Sequence, residues 1–190
     1  MRNIISLAHI SLDGFMATPG GAIDFVVFND ELADHTYPLM GSVDLAVYGR
    51  VTYEMMEGYW PSVARGDEAA PPAVREWAVK LDAKPKYVVS STRTDFPWRN
   101  SHHLTGDFAT GVQKLKDATP AGVLLGSGKL ATALDRLDLI DEYKFLVHPR
   151  IAGHGPILYQ SGLLRTRRLE LVSATPLQCG AISTHYRRAR

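Results

Sequence analysis

Short apolar, β-branched runs alternate with helical patterns along most of the chain, and this alternation constrains the fold more than any other feature. Each of the first four runs is followed by Gly, Ser or Asp and then by a helical pattern. The runs cover residues 4–10, 43–48, 87–90 and 123–125, and the predicted helices cover 30–40, 51–57, 72–81, 108–116 and 129–137. This pattern is typical of crossover units around a largely parallel sheet, so the sequence predicts an α/β fold.

Capping residues and the last third of the chain refine this prediction. Asn29 precedes the first helix, Thr52 lies in the opening turn of the second, and the pair at residues 71–72 is Pro-Pro, which suits a helix entry. After residue 139 three strand-like runs follow one another without helices between them, over 143–148, 169–174 and 181–186. Strands joined in this way pair antiparallel. A mixed sheet with an antiparallel C-terminal edge is therefore expected.

Size and charge limit the possible functions. The chain has 190 residues, 45% of them hydrophobic, and a formal net charge of +1. One domain spanning residues 1–190 is expected, and the near-neutral charge argues against nucleic acid or a membrane surface as partner. We see no signal sequence or membrane span, so a cytoplasmic protein is expected. The seven histidines lack the spacing of a metal site and Cys179 is the single cysteine, so no metal and no internal disulfide are predicted.

A glycine-rich turn, Gly126-Ser127-Gly128, joins the fourth apolar run to a helical pattern. A Walker A loop would need glycine where Val123 stands and a hydroxyl residue where Leu130 stands, so an ATP or GTP loop is not expected. The spacing fits a dinucleotide fingerprint, but the motif does not follow the first strand, and the region about 20 positions on is basic rather than acidic. An anion site made of backbone N–H groups at a helix N-terminus is the remaining functional interpretation. The alternative is that the glycines only permit a tight turn.

A second strand-to-helix junction repeats this arrangement. The run at 43–48 is followed by Gly49, then Arg50, and then Thr52 within the next helical pattern. Two such junctions, with Arg50 and Lys129 as cations, are expected to hold one diphosphate from two sides. The third apolar run ends in Ser-Ser-Thr-Arg at 90–93, which suits either a ribose phosphate or a plain strand-ending turn.

Four short motifs follow one another at the ends of the predicted strands. They are Ser11-Leu12-Asp13-Gly14, Gly49-Arg50-Val51-Thr52-Tyr53-Glu54, Val88-Val89-Ser90-Ser91 and Leu125-Gly126-Ser127-Gly128. In this order they resemble the motifs of the dihydrofolate reductase superfamily. Residues 137–143 and 148–156 are similar to a bacterial branch related to the reductase domain of the riboflavin-biosynthesis deaminase/reductase. The likeness covers nearly the entire chain and implies a three-layer α/β dihydrofolate reductase-like fold.

The resemblance also implies a reductase that uses NADPH, with cofactor-binding positions carried over residue by residue. These positions are Ala8, His9, Gly49, Arg50, Thr52, Ser90, Ser91, Arg93, Gly126, Ser127, Gly128, Lys129 and Leu130. The backbone of Ala8 and His9 would lie beside the nicotinamide carboxamide. Residues 49–52 would contact the pyrophosphate or the 2′-phosphate, 90–91 the adenosine ribose, and 126–130 the diphosphate from the other side. Arg50 and Arg93 are predicted to distinguish NADP from NAD, because a 2′-phosphate needs a cation.

The substrate end of the site is predicted from carboxylates. Asp13 follows the first strand, where ligands bind in open α/β sheets, and the resemblance places it facing the substrate, for binding or proton delivery. The alternative is that Asp13-Gly14 forms only a turn. The helical acid of dihydrofolate reductases has no clear match, and its candidates are Asp24, Asp30, Glu31 and Asp34. Among these Asp24 is taken, with Asp13, as a catalytic candidate.

Two functions are compatible with these residues. The first is an NADPH-dependent reductase that transfers a hydride to a small planar heterocycle, pterin- or aminopyrimidinone-like. The second is a non-catalytic NADP(H)-binding or regulatory protein on the same fold, since a fold does not fix a function. Relatives of this kind commonly pair, so the resemblance also implies a homodimer.

Overall fold

A single eight-stranded sheet organises the chain, in the order β4-β3-β2-β5-β1-β6-β8-β7. The computed structural model describes residues 3–126 and 128–190. The strands are β1 (Ile4–Ser11), β2 (Leu45–Gly49), β3 (Lys86–Val89), β4 (Ser101–His103), β5 (Val123–Gly126), β6 (Glu142–His148), β7 (Leu169–Pro176) and β8 (Ile182–Arg188). The helices are α1 (Asp30–Gly41), α2 (Arg50–Glu57), α3 (Trp60–Arg65), α4 (Pro72–Ala83), α5 (Phe108–Ala118) and α6 (Gly128–Arg136).

The pairing confirms the predicted mixed sheet. In sheet order, the six strands β4, β3, β2, β5, β1 and β6 are parallel to one another. At the β6 side of the sheet, β8 pairs antiparallel with β6, and β7 pairs antiparallel with β8. Alternating side chains on each strand face opposite sides. Ala46 and Tyr48 pack with residues of α1, α2 and α4 on one side, while Leu45 and Val47 pack with α5 and α6 on the other. The fold therefore has three layers, as expected for a dihydrofolate reductase-like protein.

All five predicted helices and seven predicted strands are present, with ends that differ by up to two residues. The Asn29 side chain accepts a hydrogen bond from the backbone of Leu32 (2.9 Å), which confirms the predicted cap of α1. Two elements were missed. The helix α3 has only six residues and depends on contact between Trp60 and Trp77 of α4, whose rings lie 4.3 Å apart. The strand β4 reads Ser-His-His and lacks the apolar run on which strand prediction relies.

Two long connections shape one end of the sheet. Residues 12–29 follow β1 and residues 149–168 follow β6, and they join through an isolated bridge between Phe15 and Ile157 and a hydrogen bond from Met16 N to Pro156 O (2.8 Å). Gly155 has φ +132°, and a Cβ there would overlap the carbonyl oxygen of Ala17. Only glycine allows the two connections to approach this closely.

Among the described residues, no helix is both long and apolar enough to cross a membrane.

Candidate functional site

The carboxyl ends of neighbouring parallel strands lie at one edge of the sheet. Ligands of open α/β sheets bind at this edge. Tyr48 on β2 is the register partner of Gly126 on β5. Gly49 and Gly126 therefore end adjacent strands, and the helices that follow, α2 and α6, begin at Arg50 and Gly128. The two glycine junctions found in the sequence lie side by side and open toward the same edge.

The two junctions approach each other closely because Gly126 has no side chain. A Cβ at this position would lie 2.8 Å from Tyr48 Cε1 and 4.0 Å from Thr52 Cγ2. Gly49 caps α2 without any side-chain hydrogen bond, so the first backbone N–H groups of α2 stay available to an anion. We call these two neighbouring helix N-termini the cradle; helix N-termini of this kind bind phosphate groups.

The α6 side of this cradle is partly covered. A Cβ on Gly128 would overlap Met16 Sδ, so the thioether of the connection after β1 rests on the start of α6. Lys129 is exposed, whereas the Leu130 side chain packs against the core beneath α6. Ser127, another predicted contact, lies outside the described residues.

The two predicted phosphate-binding arginines belong to one ionic cluster. Arg50 Nη1 donates to Glu54 at 2.7 Å. Arg93 donates to both carboxylate oxygens of Glu57 at 2.8 and 3.0 Å, and its Nη1 also lies 3.6 Å from Glu54. This pairing raises the pKa of Arg93. Both cations are present near the end of β3 and the start of α2, but a 2′-phosphate would have to share them with two carboxylates.

The two serines predicted near the adenosine ribose differ in whether the turn after β3 uses their hydroxyls. Ser90 Oγ accepts hydrogen bonds from the backbone N–H groups of Thr92 (3.2 Å) and Arg93 (2.8 Å), so it stabilises the turn after β3. Ser91 is exposed. The turn alternative raised by the sequence therefore applies to Ser90, and a ribose contact there would have to be made by its O–H, because both lone pairs already accept hydrogen bonds.

A free strand edge lies next to the cradle. β1 pairs with β5 only up to Ser6–Leu125, although β1 continues to Ser11 and pairs with β6 along that length. In the described part of the chain, residues 7–11 therefore have no β5 partner on one side. The backbone of Ala8 and His9 lies along this free edge. The family resemblance assigned this position to the nicotinamide carboxamide.

His9 forms a pair with His148 that the sequence did not predict. His9 Nδ1 lies 3.0 Å from His148 Nε2, and the two rings stack with centroids 5.3 Å apart. His148 is fully buried at the end of β6. Burial and the neighbouring imidazole lower the pKa of His9 to about 4, and burial also lowers that of His148. Both rings are therefore neutral near pH 7.

Asp13 links the two connections at this edge. Its carboxylate accepts hydrogen bonds from Ser11 Oγ (2.6 Å) and from the backbone N–H groups of Ala152 (3.0 Å) and Gly153 (2.8 Å). These bonds, that from Ser11 foremost, lower the pKa of Asp13 to about 2. A general acid must hold a proton near neutral pH, so these contacts favour a positioning role for Asp13 over the predicted proton delivery.

None of the four candidates for the helical acid is buried. Asp24, Asp30 and Asp34 are exposed. Glu31 accepts the backbone N–H of Gln178 with both oxygens, at 2.9 and 2.8 Å, and so fastens α1 to the turn before β8. The structure therefore encloses none of these four carboxylates.

Acid is expected to destabilise this edge through the histidine pair. Between pH 6.5 and about 4 the unfolded chain binds a proton at His9 that the folded chain does not, so the free energy of unfolding falls as the pH falls. At about 1.4 kcal/mol per pKa unit, His9 accounts for about 3 kcal/mol. Urea titrations from pH 7 to 4 measure this. His9→Gln should flatten the profile and the exposed control His35→Gln should not; parallel profiles for wild type and His9→Gln would contradict the assignment.

The sheet order and the three layers define a dihydrofolate reductase-like fold. The chain belongs to the RibD C-terminal domain family, whose model matches residues 2–183. This family is the reductase domain of riboflavin-biosynthesis enzymes. The family match confirms the relation to the riboflavin-biosynthesis reductase domain that the sequence motifs predicted.

Individual proteins agree with this assignment. The chain is 25% identical over 186 residues to the uncharacterized protein YyaP of Bacillus subtilis (strain 168), covering 97% of this chain and 94% of YyaP. A putative riboflavin biosynthesis protein from Shewanella sp. PV-4 superposes with a TM-score of 0.78 at 22% identity, covering 99% of each chain. Dihydrofolate reductase from Enterococcus faecalis, solved with NADP(H), superposes with a TM-score of 0.63 at 12% identity, covering 100% of this chain and 98% of that one.

Proposed function

We propose that this chain is an NADPH-dependent reductase that transfers a hydride to a small planar heterocycle of the pterin or aminopyrimidinone type. The observation that carries the proposal is the cradle at Gly126, where the two junctions lie so close that even a Cβ would overlap the Tyr48 ring. It lies between the N-termini of α2 and α6, beside the free edge of β1. The family assignment and the NADP(H)-bound structural neighbour support a cofactor of this type.

The residues of the edge divide the work of such a reaction. Bound NADPH would supply the hydride. The backbone N–H groups at the start of α2 and α6 would hold the diphosphate, and the backbone of Ala8 and His9 would contact the nicotinamide end. The cluster of Arg50 and Arg93 would hold the 2′-phosphate. The connections after β1 and β6, joined by Asp13, cover the edge and limit the entry of water.

Direct tests of binding and turnover distinguish the reductase from a non-catalytic NADP(H)-binding protein. The second candidate is favoured by the carboxylates, since those predicted as proton donors are exposed or tied to loops. We expect NADPH to raise the melting temperature and a dihydropterin or aminopyrimidinone to cause loss of absorbance at about 340 nm. A shift without oxidation across both substrate classes supports the second candidate. No shift removes both.

The arginine cluster gives a second prediction. Arg50→Gln with Arg93→Gln is expected to weaken NADPH binding by about 10- to 100-fold and to leave NADH binding unchanged, because each hydrogen bond to a charged group contributes about 1.5–3 kcal/mol. Calorimetric titration with both dinucleotides measures the ratio. Arg65→Gln is the control, since Arg65 is exposed and its ion pair is with Asp67. A double variant that still prefers NADPH as the wild type does would exclude this role.

We also propose that residues 1–190 act as one domain and that the protein forms a homodimer through its antiparallel edge. β7 and β8 expose large apolar side chains, with Leu171 at 59%, Val172 at 46% and Ile182 at 42%. Large exposed apolar side chains favour a protein contact. Light scattering measures the mass, and a monomer at micromolar concentration would overturn the dimer.

A further inference from the structure

The pair of His9 and His148 carries information that goes beyond cofactor binding, because its hydrogen bonds fix where the protons lie. The backbone N–H of Val27 points at His148 Nδ1, 3.5 Å away, so this nitrogen is the acceptor. A neutral imidazole carries one proton, and in His148 it must therefore sit on Nε2. His148 Nε2–H then donates to His9 Nδ1 at 3.0 Å.

The same reasoning assigns the second ring. Since His9 Nδ1 accepts, the single proton of neutral His9 sits on Nε2. This atom has no hydrogen-bond partner among the described residues, and it is not one of their buried polar atoms without a partner. Its N–H therefore reaches the protein surface. The series of hydrogen bonds that runs from Val27 N–H through His148 to His9 therefore ends in an N–H donor that faces outward.

The surroundings of this donor suit a flat, partly polar molecule. His9 shares its side of β1 with Ile5 and Leu7, which pack toward the layer containing α1. The ring of Phe28 lies 6.2 Å from the His9 ring and is 68% exposed, although phenylalanine is usually buried. An exposed aromatic face beside one directed N–H matches a heterocycle that stacks and offers a carbonyl oxygen or ring nitrogen as acceptor.

We infer that the His9 side chain is a substrate-binding hydrogen-bond donor of the reductase, and that His148 is the positioning residue that holds it in the Nε2–H tautomer. This inference rests on the proposed function and deepens it, since it requires a substrate with an acceptor atom next to the reacting carbon. When a hydride adds to a C=N or C=O carbon, negative charge develops on the heteroatom. A neutral donor at that atom binds the transition state more tightly than the substrate. The proton that the heteroatom finally takes comes from water, and the His9 N–H bond stays intact.

The tautomers can be measured without any turnover. Long-range proton–nitrogen NMR at pH 7.5 should show both rings neutral, with Nε2 protonated and Nδ1 unprotonated. In His148→Leu the His9 ring should become a mixture of tautomers, and in His148→Gln, whose side-chain amide can replace Nε2–H, the single tautomer should return. A His9 ring protonated at Nδ1 in the wild type would overturn the inference, whether or not the protein proves to be a reductase.

Binding and kinetics test the role itself. His9→Phe keeps a ring of similar size without the donor, and it should lower kcat/KM for a dihydropterin or aminopyrimidinone by about 10- to 100-fold. His9→Gln, which can place an N–H near the same point, should stay within about 5-fold of the wild type. Both variants should bind NADPH within about 2-fold of the wild type, because His9 is assigned to the cofactor only through its backbone, which both substitutions keep. His9→Phe with unchanged kcat/KM overturns the role.

A wild type without turnover calls for a different readout. In that case 2-aminopyrimidin-4-one serves as an NMR probe, and its binding should shift the His9 Nε2 resonance. Resonances that stay unmoved at millimolar probe overturn the substrate contact. Failure of NADPH to bind the wild type, by contrast, removes the proposed function and leaves the tautomer result to be judged separately.

Discussion

Asp135→Asn is expected to lower the free energy of unfolding by about 3–5 kcal/mol, the usual cost of leaving a buried charge without its partner. Asp135 lies on α6 with its side chain 1% exposed. Its carboxylate pairs with Arg188 of β8 and lies 3.3 Å from Arg167 Nε. It also accepts hydrogen bonds from the hydroxyls of Tyr143 (3.0 Å) and Tyr159 (2.8 Å). One carboxylate thus joins α6 to the antiparallel edge of the sheet.

Thermal and urea unfolding measure this effect. For a chain of this size the melting temperature should fall by roughly 10 °C. Asp138→Asn is the matched control, because Asp138 binds the same Arg188 (2.7 Å) but is 57% exposed, and surface ion pairs contribute about 1 kcal/mol or less. Asn also tolerates the φ of +58° at this position. Equal losses in the two variants would contradict a special role for the buried carboxylate.

The sequence predicts elements where apolar periodicity and local caps agree. β5 and α6 illustrate this, since an apolar run, a glycine turn and a helical pattern follow one another within residues 123–136. β4 could not be predicted because its Ser-His-His has no apolar signal, and it exists through its pairing with β3. Asp135 was also missed, although it falls on the buried face of α6 with Ala131 and Leu134. Nothing local tells that a distant arginine neutralises it.

The candidate site divides in the same way. The ion pair of Arg50 with Glu54 joins residues four apart on one helix, a separation at which side chains are neighbours. The pairing of Arg93 with Glu57 joins residues 36 apart in the chain, and the pair of His9 and His148 joins residues 139 apart. Such contacts follow from the strand order, in which β1 and β6 become neighbours. A histidine that ends an apolar strand-like run, as His148 does, was the one signal that could have drawn attention to it.

Gly126→Val is expected to weaken NADPH binding by at least about 100-fold, equivalent to about 2.7 kcal/mol. Even the Cβ would lie 2.8 Å from the buried Tyr48 ring, and it points toward Thr52 at the start of α2. The added methyl groups fill the space where a phosphate would meet the backbone N–H groups. Calorimetric titration with NADPH measures the loss. Gly41→Val is the matched control, since nothing lies within 4 Å of a Cβ at this exposed end of α1.

Overpacking against Tyr48 should also cost about 1–3 kcal/mol of stability, so binding must be separated from folding. Thr52→Val provides this separation, because it keeps the shape of the side chain and removes only the hydroxyl beside the cradle. We expect this variant to melt near the wild-type temperature and to bind NADPH about 5- to 10-fold more weakly, the loss of one hydrogen bond. If a folded Gly126→Val chain binds NADPH as the wild type does, the diphosphate does not lie between α2 and α6, and the reductase proposal loses its structural basis.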